Sequence, residues 1–201
     1  MRDAVIVSTA RTAIGRAYKG GFNDTKGATL GSYSLKPAIE RAGIDAGEVD
    51  DVLWGAALQQ GAQAGNLARQ VALRAGCPIG TSGMTIDRQC SSGLMSIATA
   101  AKQIITDRMD VVAAGGQESI SLVQTKEMRV MPDPELMQMH GAIYMPMLQT
   151  AETVAQRYGI SRDQQDEYAL QSQQRVAAAQ EAGKFDDEIV PVSTTHKVQD
   201  K

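Results

Sequence analysis

Between Met84 and Gly116 the hydrophobic pattern changes period twice, and this restricts the fold more than any other feature of the chain. Met84-Thr85-Ile86-Asp87 alternates apolar and polar residues, as a short strand does. The chain then turns at Arg88-Gln89-Cys90-Ser91-Ser92-Gly93. Leu94, Ile97, Ala98, Ala101, Ile104 and Ile105 follow on one helical face, with Thr99, Lys102, Gln103 and Thr106 opposite. Asp110-Val111-Val112-Ala113-Ala114 returns as a buried strand ending at Gly115-Gly116. A strand, a crossover helix and a second strand pair in parallel, and a parallel sheet is covered by helices.

The rest of the chain repeats this alternation. Val5-Ile6-Val7 reads as a short buried strand, and the Gly-rich polar stretch from Arg11 to Gly27 as loop. Leu30, Tyr33, Leu35 and Ile39 predict a helix from about Thr29 to Ala42, stopped at Gly43. Val49 to Leu58 reads as a strand region, and Asn66 to Ala75 as a helix. The class is therefore α/β. Beyond Ser119 the character changes, with six methionines from Met128 to Met147 among Pro132, Pro134 and Pro146, which reads as an insertion or cap. Helices follow over Ala151 to Tyr158 and Arg162 to Ala182, the second opened by a Ser161-x-x-Gln164 capping box and closed by Gly183. Asp186-Asp187-Glu188 reads as a solvated turn before the strand-like Ile189-Val190-Pro191-Val192, and Thr194 to Lys201 as an exposed polar loop. The division drawn from this is a core domain over residues 1–118 and the beginning of a cap domain over 119–201.

Composition narrows the function classes. A chain of 201 residues buries about 70% of its unfolded surface. With 43% hydrophobic and 21% charged residues it is predicted to be ordered, and its net charge of -3 argues against nucleic acid as a partner. No apolar run is long enough for a bilayer, and Arg11 interrupts the N-terminal apolar run too early for a signal peptide. The expectation is a soluble cytoplasmic protein with no membrane partner and with both cysteines, Cys77 and Cys90, as free thiols. Asn23-Asp24-Thr25 then matches a glycosylation sequon by spelling only.

The sequence contains no C-x-x-C, H-E-x-x-H, G-x-S-x-G, Walker P-loop or G-x-G-x-x-G, so metal, phosphate-loop and dinucleotide readings lose ground. Cys90 remains, between the end of a strand and the first turn of a helix. Ligands bind at that edge of open α/β sheets, and a helix N-terminus favours thiolate. Position alone leaves a second reading open, because free cysteine is also among the most buried residue types. A thiol at its ordinary pKa of about 8.5 is only a few per cent ionised at neutral pH, so a nucleophile here needs a base. The two histidines, His140 in the Met-rich stretch and His196 in the polar tail, lie in no motif that places them against Cys90. The base is expected outside this chain. Cys77 follows a helix end and reads as packing.

Asp87-Arg88-Gln89-Cys90-Ser91-Ser92-Gly93-Leu94 resembles the nucleophile motif of the thiolases, the acetyl-CoA acetyltransferases and 3-ketoacyl-CoA thiolases. Val5-Ile6-Val7-Ser8-Thr9-Ala10-Arg11-Thr12 is similar to the family's opening strand and loop, and Gly115-Gly116-Gln117-Glu118-Ser119-Ile120-Ser121 to the segment after the nucleophile helix. Thr150 to Ala155, Ser161 to Asp166 and Asp187 to Val192 resemble its loop domain. The resemblance implies a layered thiolase-type fold with a mixed sheet covered by helices. It also implies a ping-pong acyltransferase in which Cys90 takes an acyl group from an acyl-CoA as a thioester. The group then passes to CoA, cleaving a 3-ketoacyl-CoA, or to the α-carbon of acetyl-CoA, making one. By the same resemblance the Cys90 backbone N–H is one oxyanion donor, Met147 lines the pantetheine channel, and no metal or permanently bound cofactor is needed beyond the coenzyme A thioester substrates.

Two departures qualify this. Asp87 stands where thiolases often have Asn. The family has two similar halves, and only the first half and the beginning of the loop domain find a match. The second half carries the activating histidine, a second acid/base cysteine and a glycine-rich oxyanion segment. Activity is therefore expected to require a complementary C-terminal half, and the assembled enzyme to be a homodimer or homotetramer. An isolated first half would expose an apolar helix face and be poorly soluble. The alternatives are a β-ketoacyl-synthase-type condensing enzyme, whose nucleophile is also a Cys followed by small residues, and a non-catalytic interaction subunit of the same fold. The Gly-Gly-Gln-Glu-Ser stretch favours thiolase over the former.

Overall fold

Every residue of Asp51–Gly55, strand β1, is buried, as its Val-Leu-Trp centre requires of a strand covered on both faces. In the computed structural model, which describes residues 2–128 and 131–198, β1 lies between β2 (Ser82–Ile86) and β3 (Val112–Gly116), parallel to both. Asp51 is opposite Ser82 and Val112, and Gly55 is opposite Ile86 and Gly116. All three strands therefore end at one edge of the sheet. The mixed sheet implied by resemblance would need an antiparallel strand, and none is present among the described strands.

The chain divides into two compact units, Met1–Arg129 with Glu188–Lys201, and Val130–Asp187. In the first unit, helices α1 (Gly27–Ala42) and α2 (Leu67–Ala75) pack together over one face of the sheet. Leu35, Ile39, Val52, Trp54, Leu67, Val71 and Ala72 form the core there. Each fully buried Val or Leu in this layer contributes about 1.5–3 kcal/mol. α2 begins where the Asn66 side chain accepts from the Arg69 N–H, and the Asn66 amide also donates to the Gly83 carbonyl at 2.6 Å, fastening α2 to β2. Gly43 and Gly76, both with positive φ, end α1 and α2 as the pattern predicts.

Helix α3 (Ser92–Lys102) covers the opposite face, which Leu53 shares by strand alternation. The helix forms where the periodicity predicts, with its small residues inward. Ser92, Ser96 and Ala100 are buried against the sheet, while Leu94 is 71% exposed and Ile97 also faces out. Gly55 at the end of β1 brings the backbone of α3 directly onto the strand, which leaves room only for small residues on that side of the helix, so the bulky stripe points away. After α3 come a π-helical turn, Gln103–Asp107, and, past β3, the short helix α4 (Ile120–Val123).

Two sequence-predicted strands are absent. Val5, Ile6 and Val7 are extended but unpaired, and 72%, 77% and 74% exposed. Arg2 donates to the Arg108 carbonyl and pairs with Asp110, while the Tyr18 N–H donates to Ser121 Oγ at 2.8 Å, so the segment is tied to both flanks of β3. Between it and the free edge of β3 is a cavity of about 770 Å³, closed on its other sides by residues of α1 and α3. The buried-strand expectation is not met, because the segment stands off the β3 edge and makes no ladder with it. Ile189 makes only a single bridge, with Arg11, and Pro191 has no N–H to continue a ladder. Residues 188–198 nevertheless lie with the first unit: the Arg11 N–H donates to the Glu188 carbonyl, the Tyr33 hydroxyl to Ser193, and the Asn23 amide to Lys197. The sequence reading divides the chain at Glu118 instead.

The second unit contains α5 (Pro134–Met139), α6 (Met147–Tyr158) and α7 (Arg162–Glu181). The predicted capping box opens α7, with the Gln164 N–H donating to Ser161 Oγ and the Ser161 N–H to Gln164 Oε1. None of the three helices contains a buried residue. Their helical form rests on local signals: caps, a Pro at the start of α5, and the Arg162–Asp166 pair one turn apart.

The two kinds of apolar position in the first unit are separable by mutation. Leu53→Ala is expected to cost about 2–5 kcal/mol, whereas Leu94→Ser should leave the stability of this chain within about 0.5 kcal/mol, both read from urea unfolding midpoints.

Candidate active site

Cys90 is exposed in the connection from β2 to α3, at the sheet edge where all three strands end. Two overlapping turns build this connection. The Ser91 N–H donates to the Arg88 carbonyl and the Ser92 N–H to the Gln89 carbonyl, each at 3.1 Å. The two serine hydroxyls donate to the same carbonyls, at 2.9 and 2.6 Å. Cys90 is thus the second central residue of one turn and the first central residue of the next. The N–H groups at such positions close no turn, which leaves the Cys90 N–H free of both. The Arg88 N–H donates back to Ser92 Oγ at 2.9 Å, and the Gln89 N–H to Asp87 Oδ1 at 2.8 Å.

The seat of this turn is a direct backbone contact. A β-carbon at Gly55 would lie 2.5 Å from the Ser92 carbonyl carbon and 2.7 Å from the Gly93 nitrogen. The first turn of α3 thus rests on the end of β1 with no side chain between them. Ser96 Oγ donates to the Gly115 carbonyl at 2.7 Å, fastening the same helix to β3. Sequence reasoning passed over Gly55; its signal is a glycine ending a run of bulky strand residues, which marks a close backbone approach.

A polar brace holds the neighbouring strand ends. Gln63, 0% exposed, donates to the Leu58 carbonyl at 3.1 Å and to Glu118, and accepts from the Ser119 N–H at 2.8 Å. Glu118 Oε2 accepts from the Ala57 N–H at 2.8 Å, and Gln117 accepts from the Trp54 indole and donates to the Gly27 carbonyl. The segments following β1 and β3 and the start of α1 are joined in this way. A buried amide with its oxygen and nitrogen both engaged specifies one arrangement of these loops.

Of the remaining sequence candidates, Cys77 and His196 belong to the first unit and His140 and Met147 to the second. Cys77 is 5% exposed in the α1/α2 core, and burial pushes its thiol above the ordinary range, which keeps it protonated. His196 is exposed in the first unit's C-terminal segment, and no hydrogen bond joins it to Cys90 among the described residues. His140 ends α5 and Met147 opens α6, both in the second unit, and Met147 is 72% exposed. Among the described residues no group of three or more His, Cys, Asp or Glu is placed to hold a metal ion, and no helix is long and apolar enough to cross a membrane.

An exposed cysteine at a helix start, set on a glycine at the strand ends of a parallel sheet, is a recognisable arrangement, and residues 4–201 match the model of the thiolase N-terminal domain. The chain belongs to the thiolase family. It is 43% identical over 195 residues to the 3-ketoacyl-CoA thiolase of Bacillus subtilis, covering 97% of this chain and 50% of that protein. With the acetyl-CoA acetyltransferase of Cupriavidus necator it shares 40% identity over 206 residues, or 96% of this chain and 51% of the relative. The crystal structure of the Bacillus anthracis acetyl-CoA acetyltransferase superposes with a TM-score of 0.83 at 34% identity, over 99% of this chain and 53% of that one. The fold is therefore of the thiolase type, and the chain spans about half the length of the curated relatives it matches.

Two consequences of the geometry can be measured. Iodoacetamide under native conditions should modify Cys90 and spare Cys77, which should react only once urea unfolds the core; equal rates at both sites would contradict the burial described. Gly55→Ala should destabilise the chain by about 1–3 kcal/mol in urea unfolding, because the added methyl overlaps backbone that has no side chain to move aside.

Proposed function

We propose that this chain supplies the nucleophile of an acyl-CoA:acetyl-CoA C-acyltransferase. The observation that carries the reading is the exposed Cys90 at the start of α3, its own N–H engaged in neither turn around it. The Cys90 thiolate adds to the thioester carbonyl carbon of an acyl-CoA, forming a carbon–sulfur bond, and the negative oxygen that develops is met by the Cys90 N–H. Collapse breaks the bond to the CoA sulfur. CoA leaves with the proton first removed from Cys90, and the acyl group stays on Sγ. In the second half-reaction the α-carbon of acetyl-CoA, having lost a proton, attacks that thioester and releases Cys90 with a 3-ketoacyl-CoA; the reverse sequence cleaves one.

The base that takes the Cys90 proton, and the acid/base for the α-carbon, are placed in a complementary C-terminal half, supplied by continuing sequence or by a second polypeptide. Three features support the need for such a half. The apolar stripe of α3 faces outward, β3 has a free edge beside an apolar cavity, and α6 and α7 bury nothing. Met147 is assigned to the pantetheine channel by its resemblance to the family, and residues 119–201 to the beginning of the loop domain on the same ground. A homodimer or homotetramer is the assembly proposed, acyl-CoA and CoA are the small-molecule partners, and two free thiols suit a reducing, cytoplasmic setting.

Intact mass after brief incubation with acetyl-CoA tests the central step. The chain together with its complementary half should gain one acetyl group that is missing from Cys90→Ala. No adduct in the presence of that half would favour the non-catalytic interaction subunit instead.

A further inference from the structure

Gln89, immediately before the nucleophile, has a φ of 50°, one of three positive values at non-glycine residues among those described. In the turn Arg88 to Ser91 it occupies the first central position, and Cys90, the second, does not share the positive φ. A positive φ is uncommon for a residue that carries a β-carbon, so glutamine is strained there. Strain of this kind persists only where surrounding contacts over-determine it.

The contacts that do so are on either side of Gln89. Its N–H is held by Asp87 Oδ1 at 2.8 Å, and its carbonyl accepts from both the N–H and the hydroxyl of Ser92. On the carbonyl side the backbone bond is a consequence of α3 starting, and the hydroxyl bond comes from Ser92. The N–H side depends on one side chain, at the position where this chain has Asp. A right-handed Gln89 would carry the helix one residue back and swing the Cys90 N–H out of its present direction.

We infer that Asp87 is a positioning residue for Cys90: its side-chain oxygen holds Gln89 in the left-handed conformation that frees the Cys90 N–H and sets the thiol at the mouth of α3. The inference rests on the reading of Cys90 as the acyl-carrying nucleophile. The role belongs to an acceptor oxygen, not to a charge, so asparagine can perform it and alanine cannot. It also exists only because residue 89 is not glycine.

The test is the rate of Cys90 alkylation by iodoacetamide at neutral pH in the full chain, with unfolding midpoints measured in parallel. Asp87→Ala should slow alkylation about fivefold, the loss expected for one hydrogen bond, whereas Asp87→Asn should stay within about twofold of the unsubstituted chain because it keeps the acceptor. In a Gln89→Gly background, where the turn needs no support, the Asp87→Ala effect should shrink below about twofold, a coupling that a merely structural role would not produce. Equal slowing by Asn and Ala, or the same Asp87→Ala effect in both backgrounds, would overturn the inference. Should Asp87→Ala not fold, amide hydrogen exchange at Gln89 in the unsubstituted chain decides: protection supports the inference, and exchange at the unprotected rate refutes it. Because alkylation uses no coenzyme A, a failure of acetyl transfer and a failure of this inference are distinguishable.

Discussion

The contact between Gly55 and the first turn of α3 is the constraint on which the candidate site depends. Three parallel strands end together because β1 is paired in register on both sides, and that shared edge becomes a place for chemistry only if a helix can start directly above it. Gly55 permits the start, since any side chain would occupy the volume of the Ser92 and Gly93 backbone. Ser96, hydrogen-bonded to Gly115, keeps the helix down. Once α3 is seated, the turn joining β2 to it has only a few residues in which to reverse direction, and Cys90 is exposed by that reversal.

The same close packing explains what the first unit leaves uncovered. A helix that approaches a sheet through Ser92, Ser96 and Ala100 buries little apolar area on that side. Its larger side chains are carried on the opposite side, and the free edge of β3 and the unpaired Val5, Ile6 and Val7 are left uncovered as well. Exposure of that much contiguous apolar surface is uncommon in a protein that acts alone. The chain spans about half the length of its relatives, and the outward apolar stripe of α3 is one ground for the complementary half proposed above.

Much of the fold was legible in the sequence where local signals suffice. α1, α2 and α7 begin and end close to the residues that their caps and glycines predict, because capping and positive-φ glycines act over a few residues and need no tertiary partner. β1 and β3 follow from apolar runs too short for helices. The N-terminal strand was not recoverable in this way. Val-Ile-Val has the composition of a buried strand, but composition cannot say whether a neighbour is there to pair with it. The inward side of α3 was not legible for a related reason. Periodicity identifies which residues are apolar together, whereas the side that faces the sheet is chosen by how much room the strands below leave.

For the site, sequence alone determined the nucleophile candidate and its local setting: a cysteine between strand and helix, in a motif resembling that of the thiolases, with no base nearby in the chain. Tertiary structure decided how that cysteine is presented. The left-handed Gln89 beside its Asp87 acceptor, the Cys90 N–H engaged in neither turn, the brace through Gln63 and Glu118, and the burial that separates Cys77 from Cys90 are seen only in the folded chain. A hydrophobic period or a cap is written in neighbouring residues, and so are the hydrogen bonds that close the turn around Cys90, but where that turn is seated depends on contacts between residues far apart in the chain. Only the folded sheet brings Gly55 beneath Ser92.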